Sequence, residues 1–229
     1  MPSAIFRLRR RGMLSAVLVC CLSTSTTWAQ EAPKVRFATT AGEFVVELYP
    51  DKAPKTVENF LQYVRDKHYD GTIFHRVMDN FMVQGGGFDA NYVEKRTRAP
   101  VVHEGREALA RGGPRNVVGT LAMARTPDPN SASAQFFINV KDNAFLDPTL
   151  IPPGDPVPRF EYQGRVYENV PRANLVNSPQ LFGYTVFGKV VSGLDVIMKM
   201  KSTPTGPGGP FPTDVPRTPL VINSATLVK

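Results

Sequence analysis

Phe74-His75-Arg76-Val77-Met78-Asp79-Asn80-Phe81-Met82-Val83-Gln84-Gly85-Gly86 is the stretch on which the reading of this chain turns. It reads as two short strands, residues 72–77 and 81–84, closed by Gly85-Gly86-Gly87. Side chains alternate faces along a strand. Phe74 and Arg76 are therefore expected on one face of the first strand, and Met82 and Gln84 on one face of the second. An arginine and a glutamine set among Phe and Met make an apolar groove with a few fixed hydrogen-bond donors. The same pattern suits a surface arginine whose stem lies over core aromatics, and the stretch alone leaves both readings open. The glycine run lacks a helix start behind it, so it reads as a turn rather than a phosphate-binding loop.

Outward from this stretch the chain stays rich in strands. Residues 35–39 and 43–48 read as a hairpin across Thr40-Ala41-Gly42. Val57, Phe60, Leu61 and Val64 recur at helical spacing and predict a helix over 55–66. Residues 88–118 read mostly as loop, and 119–123, 135–140 and 184–191 as apolar strands. Ser192, with Asp195 three residues on, reads as the N-cap of a helix running to Met200. A Pro/Gly-rich loop over 202–219 leads into a last strand at 220–228. Eight strands and two separated helices predict a mainly β fold: a closed eight-stranded antiparallel barrel capped by two α-helices. Repeated βαβ units would need alternating helices that are not there. Residues 148–182 hold seven prolines and little periodicity, so they read as a surface insertion.

Composition bounds the rest. With 42% hydrophobic and 21% charged residues in 229, the chain is too apolar to be disordered and suits one domain. Residues 1–29 read as a cleaved secretory leader, with Arg7, Arg9, Arg10 and Arg11 before a short apolar run and Ala29 at the cleavage point. Residues 30–229 are then a single domain. Removing four basic residues takes the balance from 27 against 20 to 23 against 20, so a nucleic-acid partner loses its main support. Cys20 and Cys21 leave with the leader, so neither a disulfide nor a thiolate is expected in the mature chain. There is no Gly-x-Ser-x-Gly, no His-Glu-x-x-His and no P-loop. His68, His75 and His103 share no metal-ligand spacing, so no metal is expected.

Four blocks together resemble the cyclophilin family of peptidyl-prolyl cis/trans isomerases. The first is the opening stretch, 74–77 with 81–86. The second is Leu121-Ala122-Met123-Ala124-Arg125-Thr126 with Asn130-Ser131-Ala132-Ser133-Ala134-Gln135-Phe136-Phe137-Ile138-Asn139. The others are Phe145-Leu146-Asp147 and Tyr184-Thr185-Val186-Phe187-Gly188-Lys189-Val190. They run in the family's order over roughly residues 34–229 and look most like its bacterial periplasmic members. The resemblance implies rotation of X–Pro bonds in polypeptide substrates without a cofactor, with Arg76, Gln84 and His75 in catalytic positions. It implies a proline pocket of Phe81, Met82, Phe137 and Leu146. Gln135 would lie in the groove and Phe145 and Tyr184 on its rim, while Ala124 and Arg125 would meet the peptide mainly through their backbone. With the leader it implies export to the periplasm by the general secretory route, as a monomer not inserted in the membrane after cleavage. Phe145 stands where the best-known eukaryotic members carry Trp, and Tyr184 where they carry His. Phe has no indole N–H to donate, so weak binding of cyclosporin is expected. Two other readings are less favoured. One is a holdase that captures proline segments without turning them over, against which Arg76, Phe81, Gln84 and Phe137 are all present. The other is a glycosidase, which needs a facing carboxylate pair, whereas Asp51, Glu58 and Asp70 read as turn or helix-surface residues.

Overall fold

Apolar residues at every second position give the first two strands one dry face. In the computed structural model β1 (Lys34–Thr39) buries Val35, Phe37 and Thr39, and β2 (Gly42–Leu48) buries Phe44, Val46 and Leu48. The structure describes Met1 and residues 31–228; the leader expected over 1–29 lies, Met1 apart, outside the described residues. Helix α1 (Pro54–Arg65) sets Val57, Phe60, Leu61 and Val64 on its buried side. Pro54 occupies its first turn, where a missing N–H leaves nothing unpaired. Ala53 before it has no side chain to cap the helix. Glu104, buried and remote in sequence, does so instead: its carboxylate accepts from Lys55 N at 3.2 Å, Thr56 N at 2.7 Å and Thr56 Oγ1 at 2.8 Å. A negative charge there also suits the helix dipole.

The remaining elements are β3 (Arg76–Met78), β4 (Met82–Gly85), α2 (Gly105–Ala110), β5 (Thr120–Met123), β6 (Phe136–Asn139), β7 (Val157–Tyr162) and β8 (Arg165–Val170). Then come α3 (Arg172–Val176), β9 (Val186–Ser192), α4 (Leu194–Lys201), β10 (Thr205–Gly208), β11 (Phe211–Pro216) and β12 (Ile222–Leu227). Eight strands form one antiparallel sheet in the order β12-β1-β2-β9-β5-β6-β4-β3. The sheet curls around an aromatic core. Phe37 stacks on Phe44 with centroids 4.9 Å apart, and Phe60 from α1 meets Phe136 edge-on at 5.7 Å. No helix among the described residues is long and apolar enough to cross a membrane.

Five expectations need correction. The barrel is open, not closed: β12 and β3 end the sheet, and one bridge, Ile73 to Val221, spans the gap. The expected strand at 72–77 shrinks to three residues, and Pro216 and Pro219, which lack N–H groups, precede β12, so no continuous ladder forms there. The described residues hold four α-helices rather than two, because α2 lies in the stretch read as loop and α3 in the insertion. Residues 202–219 contain the β10–β11 hairpin. Finally, Gly193, not Ser192, caps α4, at φ 77 and without a side-chain bond. A Cβ there would strike the backbone of Glu43 and Phe44, so only glycine fits. The insertion folds as the β7–β8 hairpin with α3 over Val157, Phe160, Leu175 and Leu181.

Candidate active site

Register decides which side chains meet on the outer face of the sheet. Arg76 pairs with Gln84, Gln84 with Phe137, Phe137 with Ala122, and Ala122 with Val186. Five strands, β3, β4, β6, β5 and β9, thus present one row, while Val77, Val83, Leu121, Phe136, Ile138 and Phe187 point into the core. A row this apolar on an outer face needs a cover. Leu146, at the end of a 3₁₀ turn over Ala144–Leu146, supplies it together with Tyr184. Met82, Ala122, Phe137, Leu146 and Val186 form a second buried cluster, separate from the core. Beside it opens a cavity of about 150 Å³ lined by Arg76, Phe81, Met82, Gln84, Ala124, Arg125, Phe137, Leu146 and Tyr184.

A buried amide network holds the cover down. Asn143 Nδ2 donates to Phe81 O at 2.9 Å and to Asn139 Oδ1 at 2.7 Å, while its backbone N–H donates to Asn116 O at 2.7 Å. Asp147 accepts from Asn116 N at 2.8 Å and from Arg115 Nη1 at 3.1 Å. The backbone N–H of Tyr184 donates to Leu146 O at 2.9 Å, which closes the far wall. Arg125 braces that wall: its Nε and Nη2 donate to Gly183 O at 3.0 and 2.8 Å, and its guanidinium lies 4.6 Å over the Tyr184 ring. The carbonyl of Gly183 also meets His103 Nε2 at 3.2 Å.

Arg76 stands at the mouth, its side chain 43% exposed. Its Nη2 donates to Met78 Sδ at 3.3 Å, and its Nε lies 3.8 Å from Asp214 Oδ2 on β11. Gln84 Nε2 donates to Gln135 Oε1 at 3.1 Å. Gln135 lines an adjoining polar cavity of about 220 Å³, which shares Gln84, Ala124 and Arg125 with the first. Phe145 is 75% exposed and stacks on Phe81 with centroids 5.7 Å apart, so it forms a rim.

Nine of the twelve residues expected at the site therefore line one cavity, and Gln135 and Phe145 adjoin it. His75 is not brought there. It is buried between Phe88 and Phe211, at ring distances of 4.8 and 5.1 Å, under the β10–β11 hairpin. Burial, helped by the charge of Arg76, holds its pKa down at about 4, so it is neutral above that. Phe74 and Arg76 do not share a face either. Phe74 belongs to the core and Arg76 to the cavity, because the chain before β3 is irregular. Sequence reasoning gave no role to Asp214, Asn116, Asn139, Asn143 or Asp147. Asn139 and Asp147 at least stood inside the quoted blocks, whereas Asp214 lay in a stretch read as loop. No group of three or more His, Cys, Asp or Glu side chains suited to a metal occurs among the described residues.

The cavity holds no activated nucleophile and no acid pair. It offers two guanidinium groups, that of Arg125 spent on the Gly183, Thr126 and Pro127 carbonyls and that of Arg76 with a spare Nη1, beside a buried apolar cluster, and an amide two strands from Ala122. Comparison with known proteins gives the family. Residues 34–227 match the family described as Cyclophilin type peptidyl-prolyl cis-trans isomerase/CLD. The chain is 46% identical over 194 residues to peptidyl-prolyl cis-trans isomerase cyp18 of Streptomyces antibioticus, covering 85% of this chain and 98% of that one. It is 42% identical over 193 residues to peptidyl-prolyl cis-trans isomerase B of Escherichia coli strain K12, covering 84% and 98%. A cyclophilin-type isomerase of Cryptosporidium parvum superposes with a TM-score of 0.56 at 21% identity, over 86% of this chain and 98% of that one. A second structure of that protein, in the presence of the dipeptide Ala-Pro, gives a TM-score of 0.55 at the same identity, over 86% and 99%. With the matched segment running from β1 into β12, this chain belongs to the cyclophilin-type peptidyl-prolyl cis-trans isomerases and is an isomerase of that kind.

Proposed function

We propose that this isomerase rotates X–Pro bonds in exported, folding polypeptides, and that Arg76 is the donor that stabilises the twisted amide. Resonance gives the C–N bond partial double character and a barrier of about 18–20 kcal/mol. In the twisted state the proline nitrogen regains a lone pair. A donor aimed at that nitrogen binds the twisted form better than the planar one, and such differential binding is what accelerates a reaction. Arginine suits the task, since it stays charged and presents several donors in a rigid fork. The proline ring would sit on Phe81, Met82, Phe137 and Leu146. Excluding water there disfavours the charge-separated planar amide and strengthens the contact with Arg76. Gln84 would hold the substrate backbone beside the rotating bond.

The observation that carries this reading is the row from Arg76 through Gln84 to Phe137, which seats the cation at the lip of the apolar hollow. Export rests on the leader-like residues 1–29, which would send the mature chain to the periplasm as a monomer acting on newly arrived proline-containing chains. The Cryptosporidium parvum relative, studied with Ala-Pro, supports proline-containing segments as the ligand class.

Arg76→Ala should lower kcat/KM for an X–Pro peptide at least about tenfold, equivalent to roughly 1.4 kcal/mol of barrier. The fold should survive, because an arginine exposed at a cavity mouth is not core. A protease-coupled isomerisation assay, with circular dichroism as the folding control, measures both. Turnover at the wild-type level in that variant removes Arg76 from the mechanism.

A further inference from the structure

The β10–β11 hairpin touches the chain at two points, one just before β3 and one at its first residue. Phe211 stacks on His75 at 5.1 Å, and three residues further along β11 Asp214 faces Arg76. Asp214 is the one carboxylate among the described residues within ion-pair distance of that guanidinium. Its backbone sits at φ 66, a left-handed conformation that Asp and Asn tolerate better than most residues. Val215, next to it, is buried, so the turn is anchored. Thr213 Oγ1 donates to Asp214 Oδ2 at 3.1 Å and steadies the carboxylate.

We infer that Asp214 is a positioning residue for catalysis: it holds the Nε edge of Arg76 so that the remaining guanidinium donors face the proline nitrogen. The inference rests on Arg76 being the catalytic donor. Arginine has a long, flexible stem, and Met78 Sδ is a weak acceptor, so without Asp214 little fixes the guanidinium. Nη2 donates to Met78 and Nε faces the Asp214 carboxylate at 3.8 Å in an ion pair without a hydrogen bond, while Nη1 makes no hydrogen bond to the described residues. An ion pair this exposed adds little to stability, so the pairing matters through orientation. A nearby carboxylate also weakens the positive field at the substrate. That effect is the smaller one, because the high effective dielectric at an exposed site weakens it, while a hydrogen bond depends steeply on angle.

The test compares Asp214→Asn, Asp214→Glu, Arg76→Ala and the double variant Arg76→Ala/Asp214→Asn, with kcat and KM measured separately on one X–Pro peptide. Asn keeps the backbone conformation and removes the charge. Asp214→Asn should lower kcat about three- to tenfold, with KM changed less than about twofold. Asp214→Glu should recover part of the loss. In the Arg76→Ala background the Asn substitution should change nothing further, and the Nε–H resonance of Arg76 should move in Asp214→Asn. A wild-type kcat in Asp214→Asn beside a slow Arg76→Ala overturns the positioning role and leaves the Arg76 reading standing. An equal loss from Asp214→Asn with and without Arg76 also overturns it, because the effect would then come from the hairpin's fold. Wild-type turnover in Arg76→Ala overturns the underlying reading itself.

Discussion

Acid should destabilise this isomerase more than its carboxylates require, because two imidazoles, the buried His75 and the half-buried His103, resist protonation. Burial, with the neighbouring Arg76 charge, lowers the pKa of His75 from 6.5 to about 4. Burial does the same to His103, from 6.5 to about 4, with Arg125 and Arg106 adding to it and the hydrogen bond to Gly183 O opposing. Above pH 6.5 both imidazoles are neutral in the folded and unfolded chains and contribute nothing. Between 6.5 and 4 the unfolded chain takes up protons that the folded chain refuses, so stability falls as pH falls. Below about 4 both states are protonated and the loss is complete. For a shift of this size each histidine removes about 2 kcal/mol by pH 5 and about 3 kcal/mol by pH 4. Against a typical total of about 5–15 kcal/mol, the pair is a large share.

The clean test is His75→Phe. Phenylalanine keeps the packing against Phe88 and Phe211, and Nδ1 of His75 has no hydrogen-bond partner to lose. Any bond lost elsewhere on the ring shifts the stability curve without tilting it, because it does not titrate. Urea unfolding followed by circular dichroism from pH 8 to pH 4 gives stability as a function of pH. The variant should lose about 2 kcal/mol less than wild type between pH 7 and pH 5. Parallel curves for the two proteins would refute the claim that His75 is held neutral by its surroundings.

Two further outcomes follow from other parts of the structure. Glu104→Ala should cost about 2–4 kcal/mol in urea unfolding, since three donors at the start of α1 lose their acceptor in a buried place; a loss under about 0.5 kcal/mol would show that water replaces the carboxylate. Cyclosporin should bind weakly by calorimetry while isomerase activity persists, because Phe145 at the rim offers no N–H, and Phe145→Trp should tighten it; nanomolar inhibition of the natural sequence would contradict this.

What the sequence made legible was local. Alternation in 35–39 and 43–48 and the helical spacing of Val57, Phe60, Leu61 and Val64 each bury one face, so a pattern of period 2 or 3.6 reveals them. What stayed hidden depends on partners far along the chain. Ala53 looks like an uncapped start because its cap, Glu104, arrives from another loop. The Pro/Gly-rich 202–219 looks like loop because β10 and β11 pair with each other and rest on His75 and Tyr92 rather than forming an alternating face of their own. Closure of the barrel could not be read either, since a strand count does not say whether the two edges find each other.

At the site the same division holds, and the glycine run shows why. Residue types in the opening stretch announced an arginine, a glutamine and apolar neighbours, but which of them share a face depends on register, and a slip of one residue exchanges every side chain between faces. Gly85-Gly86-Gly87, read as a plain turn, does more than turn the chain. A Cβ on Gly85 would lie 2.8 Å from the Phe74 ring and 2.9 Å from Ile73 O, and one on Gly86, at φ 85, would press on Tyr69 and Phe136. These contacts leave β4 one position against the chain that leads into β3. Shifted by one, β4 would offer Val83 in place of Gln84 opposite Arg76 and would send the glutamine into the aromatic core without a partner, at about 1–3 kcal/mol or more. The row that carries Arg76, Gln84 and Phe137 into one cavity is therefore set as much by residues with no side chain as by those that line it.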